Sequence, residues 1–298
     1  MKKMLSLFIV VFLLVGCSGK NTDVYFKRGN KYLKLGKYRL ALDDYTSAIR
    51  INPDNADAYY NRGITYGSLG KSQLEIDDYT SAIRINPDFK KAYYNRGITY
   101  NDLGKYQLAI DDYNSVIRIN PDNANAYYKR GNTYLKLGKY RLALDDYTSA
   151  IRINPDFTKA YITRGEVYSK SGVYQLAIND YISATQIKPD NANAYYNRGI
   201  AFSKLRKYQL AVDAFNSVIR INPDNSDAYY SKGLAHENLD KYQLAIDDYS
   251  NAIRINPDDS EAYANRGFAK MNLGQYYCDD YKKACELGIC RMYNNECK

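Results

Sequence analysis

Proline frames this chain. It occurs at Pro53, Pro87, Pro121, Pro155, Pro189, Pro223 and Pro257, and every interval between neighbours is 34 residues, with none left over. A period this long and this strict argues against a globule with one core. It calls for a stack of similar units, each burying its apolar side against the next. The length of 298 residues would by itself suggest two domains, but a shared-core stack behaves as one array.

With Thr22 as position 1 of the first unit, positions 4, 8 and 11 are Tyr25, Gly29 and Tyr32, and positions 15, 17, 20, 24, 27 and 32 are Gly36, Tyr38, Ala41, Tyr45, Ala48 and Pro53. At 100° per residue, positions 4, 8 and 11 share one side of a helix, and 17, 20, 24 and 27 share one side of a second. Gly at 8 and Ala at 20 let the two helices approach, and Gly at 15 suits the turn between them. Pro at 32 closes the second helix, and Asp at 33 (Asp54, Asp88, Asp122) is expected to cap the next. Asp43 and Arg50, which recur in most copies on the outer face of the second helix, are read as a solvated stripe.

These markers resemble the tetratricopeptide repeat, with Tyr where that family often has Trp or Phe. The resemblance implies an all-α fold, a right-handed α-solenoid of helix-turn-helix units. Seven full repeats would span 22–55, 56–89, 90–123, 124–157, 158–191, 192–225 and 226–259, followed by a modified eighth repeat and capping helix over 260–298. Tyrosine, 34 residues against no tryptophan, supplies the large rings. Some copies depart from the pattern. Ser72 and Glu75 replace a Tyr and a buried Ala, so the second repeat is expected to be locally loose and Glu75→Ala to stabilise it. Arg206 and Asp240 replace the turn glycine, and the only histidine, His236, fills a position-11 tyrosine slot as a packing substitute. Residues 32–54 and 134–156 are identical, as a duplication three repeats long would leave them.

Positions 2, 5, 6, 9 and 13 of each first helix lie opposite its core face. Position 5 reads Phe26, Tyr60, Tyr94, Tyr128, Ile162, Tyr196, Tyr230 and Ala264. Position 6 reads Lys27, Asn61, Asn95, Lys129, Thr163, Asn197, Ser231 and Asn265, and position 9 adds Ile64, Ile98, Ile200 and Leu234. In tetratricopeptide arrays this face lines the concave surface. An asparagine offers one acceptor and two donors, so a row of them can hold a peptide by its backbone, while tyrosines give rigid amphipathic contact. The row resembles the asparagine ladder of the nucleocytoplasmic glycosyltransferases that add N-acetylglucosamine to proteins, broken here at Lys129, Thr163 and Ser231. The resemblance implies a groove for extended peptides or partner proteins, formed by Tyr60, Asn61, Ile64, Tyr94, Asn95, Ile98, Tyr128, Lys129, Tyr196, Asn197, Ile200, Tyr230 and Asn265.

The chain starts with Met1-Lys2-Lys3-Met4 and an apolar run from Leu5 to Val15, too short to cross a bilayer and suited to a signal-peptide core. It ends in Leu14-Val15-Gly16-Cys17, which resembles the lipobox of bacterial lipoproteins. That resemblance implies a signal peptide over 1–16, lipid on Cys17, a tether over 17–21 and, with Ser18 rather than Asp next, the outer membrane facing the periplasm. The four tether residues that follow Cys17 reach about 14 Å. The basic cluster Lys27, Arg28, Lys31, Lys34, Lys37 and Arg39 would then lie near lipid headgroups. Without Lys2 and Lys3 there are 40 basic against 33 acidic residues, a mild interspersed excess that does not point to nucleic acid.

Four cysteines remain, at Cys278, Cys285, Cys290 and Cys297. Cysteines seven apart on one helix are separated by about 10.5 Å, beyond the disulfide limit of roughly 7 Å. Pairing must cross between helices, and a hairpin turning at Gly288 favours Cys285–Cys290 with Cys278–Cys297. A four-thiolate metal site is the rival, although the paired Cys-x-x-Cys spacing is missing. The segment Cys278-Asp279-Asp280-Tyr281-Lys282-Lys283-Ala284-Cys285 resembles a common ending of bacterial repeat proteins, two residues short near Tyr277, with Ile289, Met292 and Tyr293 available to cover the last apolar face. The sequence presents no phosphate loop, nucleophile motif or metal cluster, and no cofactor is expected. The reading is a non-enzymatic, lipid-anchored scaffold for protein interactions in the bacterial cell envelope. Its alternatives are a surface-exposed ligand-binding or adhesive lipoprotein and an enzyme or glycan-binding module.

Overall fold

The computed structural model describes residues 22–297. The expected signal peptide over 1–16, the lipidated Cys17 and the tether that follows lie outside them. Residues 22–34 form the first helix, α1. Second helices of the repeats are α2 (Tyr38–Ile51), α4 (Ser72–Ile85), α6 (Tyr106–Ile119), α8 (Tyr140–Ile153), α10 (Tyr174–Ile187), α12 (Tyr208–Ile221) and α14 (Tyr242–Ile255). First helices after α1 are α3 (Ala56–Ser68), α5 (Lys90–Asp102), α7 (Ala124–Lys136), α9 (Thr158–Lys170), α11 (Ala192–Lys204), α13 (Ser226–Glu237) and α15 (Ser260–Asn272). The chain ends with α16 (Cys278–Glu286) and α17 (Arg291–Glu296). It is all-helical among the described residues, and none of their helices is long and apolar enough to cross a membrane.

Two compact units result, one ending at Ile153 and one beginning at Asn154. Each is a run of antiparallel helix pairs, and the same contacts recur from pair to pair. The position-24 rings are the largest buried groups, with Tyr45, Tyr79, Tyr113, Tyr147, Tyr181, Phe215, Tyr249 and Tyr281 at 0–1 % exposure. Removing such a ring from water is worth about 2–3 kcal/mol. Position-8 glycine lies flat against it: a Cβ on Gly97 would stand 2.9 Å from Tyr113 Cε1. The turn glycines are left-handed, φ +68° at Gly36 and +69° at Gly138, and the Lys37 amide donates to the Tyr32 carbonyl at 2.9 Å, closing the helix end. Arg206 and Asp240 adopt the same conformation, at φ 57° and 55°.

One local expectation is corrected. The cap of a following helix comes one residue later than the expected Asp: Asn55, Asn123, Asn191 and Asn225 accept from the amides of Ala58, Ala126, Ala194 and Ala228, while Phe89 and Phe157 at the same place make no side-chain cap. Asp54 instead donates its amide to the Asn52 side chain at 3.2 Å, because it sits inside the Pro-Asp turn, ahead of the cap. In the second repeat, α4 keeps the full 14 residues of its counterparts despite Ser72 and Glu75.

At the end of the chain, Arg266 pairs with Asp280 across 14 residues where the whole repeats use 16, which locates the two-residue deletion before α16. The structure joins Cys278 to Cys297 and Cys285 to Cys290, with Cα separations of 5.6 and 3.9 Å. All four thiols are paired in this arrangement. Ile289, Met292 and Tyr293 are half-buried there.

Candidate binding face

Each first helix presents two rows of side chains. In most repeats the row facing the second helix contains an ion pair that sequence reasoning missed. Arg96 donates Nε and Nη2 to the two oxygens of Asp112 at 2.9 and 2.7 Å. The same bidentate pair forms between Arg62 and Asp78, Arg130 and Asp146, and Arg164 and Asp180, in every case 16 residues apart. The aspartates are about 4–5 % exposed. Burial pushes Asp112 up and the Arg96 guanidinium opposes it, while Asp112 holds Arg96 above its ordinary value against desolvation. Each arginine also lies over the position-4 ring, with Arg96 Cζ 5.6 Å from the Tyr93 centroid. The recurrence of Arg and Asp at a constant separation was the available signal. The exposed Asp43 and Arg50 beside it drew the reading outward instead.

Repeat seven varies the pair. Lys232 Nζ and His236 Nδ1 approach the two oxygens of Asp248 at 2.8 and 2.7 Å. His236 is thus a packing substitute that also ties the two helices of its repeat.

The opposite row carries the residues read as a groove, and among them Tyr60, Asn61, Ile64, Tyr94, Asn95, Ile98, Tyr128, Lys129, Tyr196, Asn197, Ile200, Tyr230 and Asn265 are all half-buried. The tyrosines lean on the position-24 rings. Centroid distances are 5.7 Å for Tyr60–Tyr79, 6.1 Å for Tyr94–Tyr113, 5.8 Å for Tyr128–Tyr147, 5.7 Å for Tyr196–Phe215 and 5.9 Å for Tyr230–Tyr249. Burial raises the pKa of Tyr60 and of Tyr94, and the Asn95 amide opposes the shift at Tyr60.

The asparagines are less free than their spacing implies. Asn95 Nδ2 donates to the Tyr60 hydroxyl at 3.0 Å, and Asn265 Nδ2 to that of Tyr230 at 3.0 Å. Asn61 donates to Asn30 Oδ1 at 3.1 Å, and Asn197 to Glu166 Oε1 at 3.5 Å. Ser231, one of the breaks in the row, keeps the same link, 3.2 Å from the Tyr196 hydroxyl. One amide hydrogen of each such asparagine therefore fastens neighbouring repeats. Asn95 also acts on the Tyr79 hydroxyl, and the remaining capacity of these amides is what a ligand could use.

Within each unit, hollows open along this row. In the first, a cavity of about 210 Å³ is lined by Tyr60, Lys90, Lys91, Tyr94, Asn95, Asn123 and Asn125. Another, of about 290 Å³, is lined by Ile64, Gly67, Glu75, Tyr79, Asn95, Ile98 and Thr99. In the second unit a more apolar one of about 280 Å³ includes Ile200, Tyr208, Phe215, Ser231, Leu234 and Ala235. Rings, amides and hollows of this size suit side chains and backbone of an extended chain. Among the described residues no His, Cys, Asp and Glu side chains gather to hold a metal.

Comparison with known proteins gives concordant results. Family profiles described as "TPR repeat" match residues 23–70, 99–138 and 165–206. Others described as "Tetratricopeptide repeat" match 56–89, 79–111, 124–157, 192–225 and 226–259. No curated protein matches the chain. Among solved structures, YrrB, described as "a TPR protein with an unusual peptide-binding site", is 26% identical, with 63% of this chain and 97% of that one covered and a TM-score of 0.55. MamA protein is 27% identical over 59% of this chain and 96% of its own, with a TM-score of 0.54. The C-terminal part of a TPR repeat-containing protein from Cytophaga hutchinsonii is similar in fold, with a TM-score of 0.70 at 18% identity, over 80% of this chain and 98% of that one.

Proposed function

The chain belongs to the tetratricopeptide repeat family, and from that premise we propose that it is a non-enzymatic scaffold that binds an extended peptide or a segment of a partner protein. The binding surface is the first-helix row. In the first unit it centres on Tyr60, Asn61, Tyr94 and Asn95, with Tyr128 and Lys129 beyond. In the second it centres on Tyr196, Asn197, Tyr230 and Asn265. The observation that carries the reading is the recurrence of a half-buried ring beside an amide at Tyr60/Asn61, Tyr94/Asn95 and Tyr196/Asn197, with a side-chain-sized hollow at Tyr60, Tyr94 and Asn95. YrrB, with its peptide-binding site, supports it as a relative of similar build. Crosslinking and pull-down with the wild type and a Tyr94→Ala/Asn95→Ala variant test it. Loss of partners in the variant is expected; recovery of the same partners from both would place the binding surface elsewhere.

The cellular setting rests on the leader. Leu14-Val15-Gly16-Cys17 favours lipid on Cys17 and a place in the bacterial envelope, at the outer membrane facing the periplasm, where the two disulfides also suit an oxidising compartment. Cys17→Ala is expected to move the protein from the membrane to the soluble fraction and to abolish palmitate labelling. Protease shaving of intact cells separates a periplasm-facing scaffold, which is protected, from an outward-facing adhesive protein, which is cleaved.

A further inference from the structure

The second repeat carries an exchange of two residues that shapes one hollow of the row. Position 20, alanine in the other whole repeats, is Glu75; position 12, elsewhere Leu33, Asn101, Leu135, Ser169, Ser203 or Glu237, is Gly67. A Cβ on Gly67 would stand 2.7 Å from Glu75 Oε1 and 2.8 Å from its Cδ. The carboxylate thus occupies the space that a position-12 side chain would take.

It lies in the 290 Å³ hollow between α3, α4 and α5, whose sides include Ile64 and Ile98. Tyr79 donates its hydroxyl to Oε1 at 3.1 Å. Among the described residues, the groups acting on the carboxyl are Tyr79, Thr99 and the negative charge of Asp102, with no cation. Burial accordingly raises its pKa. A carboxylate half out of water without a counter-charge destabilises the fold, and a ligand that brings a cation removes that penalty on binding. Apolar walls with an acid at one end match a long basic side chain, whose methylenes pack while its head keeps polar partners.

We propose that this hollow receives a lysine or arginine side chain of the bound peptide, its methylenes between Ile64 and Ile98 and its cationic head at Glu75. The inference rests on the first-helix row being the binding surface, and it adds the chemistry of one specificity pocket.

The test is selection from a randomised peptide library displayed on phage, using immobilised wild-type protein. Selected peptides are then synthesised with their basic residue replaced by norleucine or citrulline. Affinities are read by fluorescence anisotropy for the wild type, Glu75→Ala, Glu75→Gln and Tyr94→Ala/Asn95→Ala, with helicity checked by circular dichroism. The selected peptides are expected to share a lysine or arginine whose replacement weakens binding to the wild type about tenfold, as loss of one charge-assisted contact implies. The same replacement should matter far less for Glu75→Ala and Glu75→Gln. Peptides that depend on Tyr94 and Asn95 but carry no basic residue, or carry one that is indifferent to Glu75, would overturn the pocket alone. Selected peptides insensitive to the Tyr94→Ala/Asn95→Ala change would overturn the reading of the row, and the pocket with it.

Discussion

Repeats three and six place the same arginine at the same point of the hairpin, Arg96 and Arg198, in opposite circumstances. Arg96 grips Asp112 with two bonds and reaches Thr80 Oγ1 of the preceding repeat with a third, at 2.8 Å. At the matching places around Arg198 stand Ala214 and Ile182, so both kinds of partner are gone. Its Nε is buried with no hydrogen-bond partner among the described residues, and Cζ settles 4.8 Å from the centroid of the Tyr195 ring. Desolvation lowers the pKa of Arg198, whereas Asp112 holds Arg96 high. Ala214 and Phe215 stand where repeat three has Asp112 and Tyr113, so the second helix of repeat six is more apolar and the charge on the first was left behind. A hairpin of the same shape forms with and without the ion pair, and on general grounds a buried pair is costly chiefly when only half of it remains.

The most forceful way to break the comparison is to turn repeat three into repeat six. Asp112→Ala strands Arg96 and should cost about 3 kcal/mol, read as a lower urea midpoint; Arg96→Met in the same chain should recover most of it. Next comes the reverse change. Ala214→Asp gives Arg198 the carboxylate its counterparts have and should add about 2 kcal/mol. A lower midpoint for that variant would mean that repeat six has closed around the gap.

A third prediction concerns the other stranded charge. Because burial raises the folded pKa of Glu75, the folded state holds that proton more tightly than the unfolded chain. The penalty is therefore present above the raised value and vanishes as pH falls below the ordinary glutamate range. Glu75→Gln should be more stable than the wild type by about 1 kcal/mol near neutral pH, with the advantage fading in thermal melts as the pH approaches 4. The smallest effect is expected at the turn. Arg206 holds φ at 57°, where repeats one to five use glycine, and Arg206→Gly should stabilise by about 0.5 kcal/mol, relief of left-handed strain less the entropy that glycine loses on folding. Equal melting temperatures would show the turn to be unstrained.

Much of this molecule is legible in the residues. Gly29 against Tyr45, Gly36 in the turn, the nested Cys278–Cys297 and Cys285–Cys290 pairs and the shortened eighth repeat follow from spacing, because a helix face and a hairpin turn are local matters. The cap was also within reach, since Asn55 directly precedes α3, but Asp54 is an equally good capping type and only the observed turn separates them. The candidate face was legible as a row of rings and amides, not as a bonded surface. That Asn95 spends a donor on Tyr60 of the preceding repeat, and that Tyr94 rests on Tyr113, depend on distances between helices.

The residues by themselves determined the 34-residue unit, its two helices, its small contacts at positions 8 and 20 and the all-helical stack, since periodicity sets which side of a helix is apolar and an apolar side must be covered. Only the tertiary structure decided which polar atoms meet. Bringing Arg96 within bonding range of Asp112, leaving Arg198 without a carboxylate, and turning Glu75 into the space vacated by Gly67 are matters of a few ångströms between separate helices, and hydrogen bonds are lost over less than that.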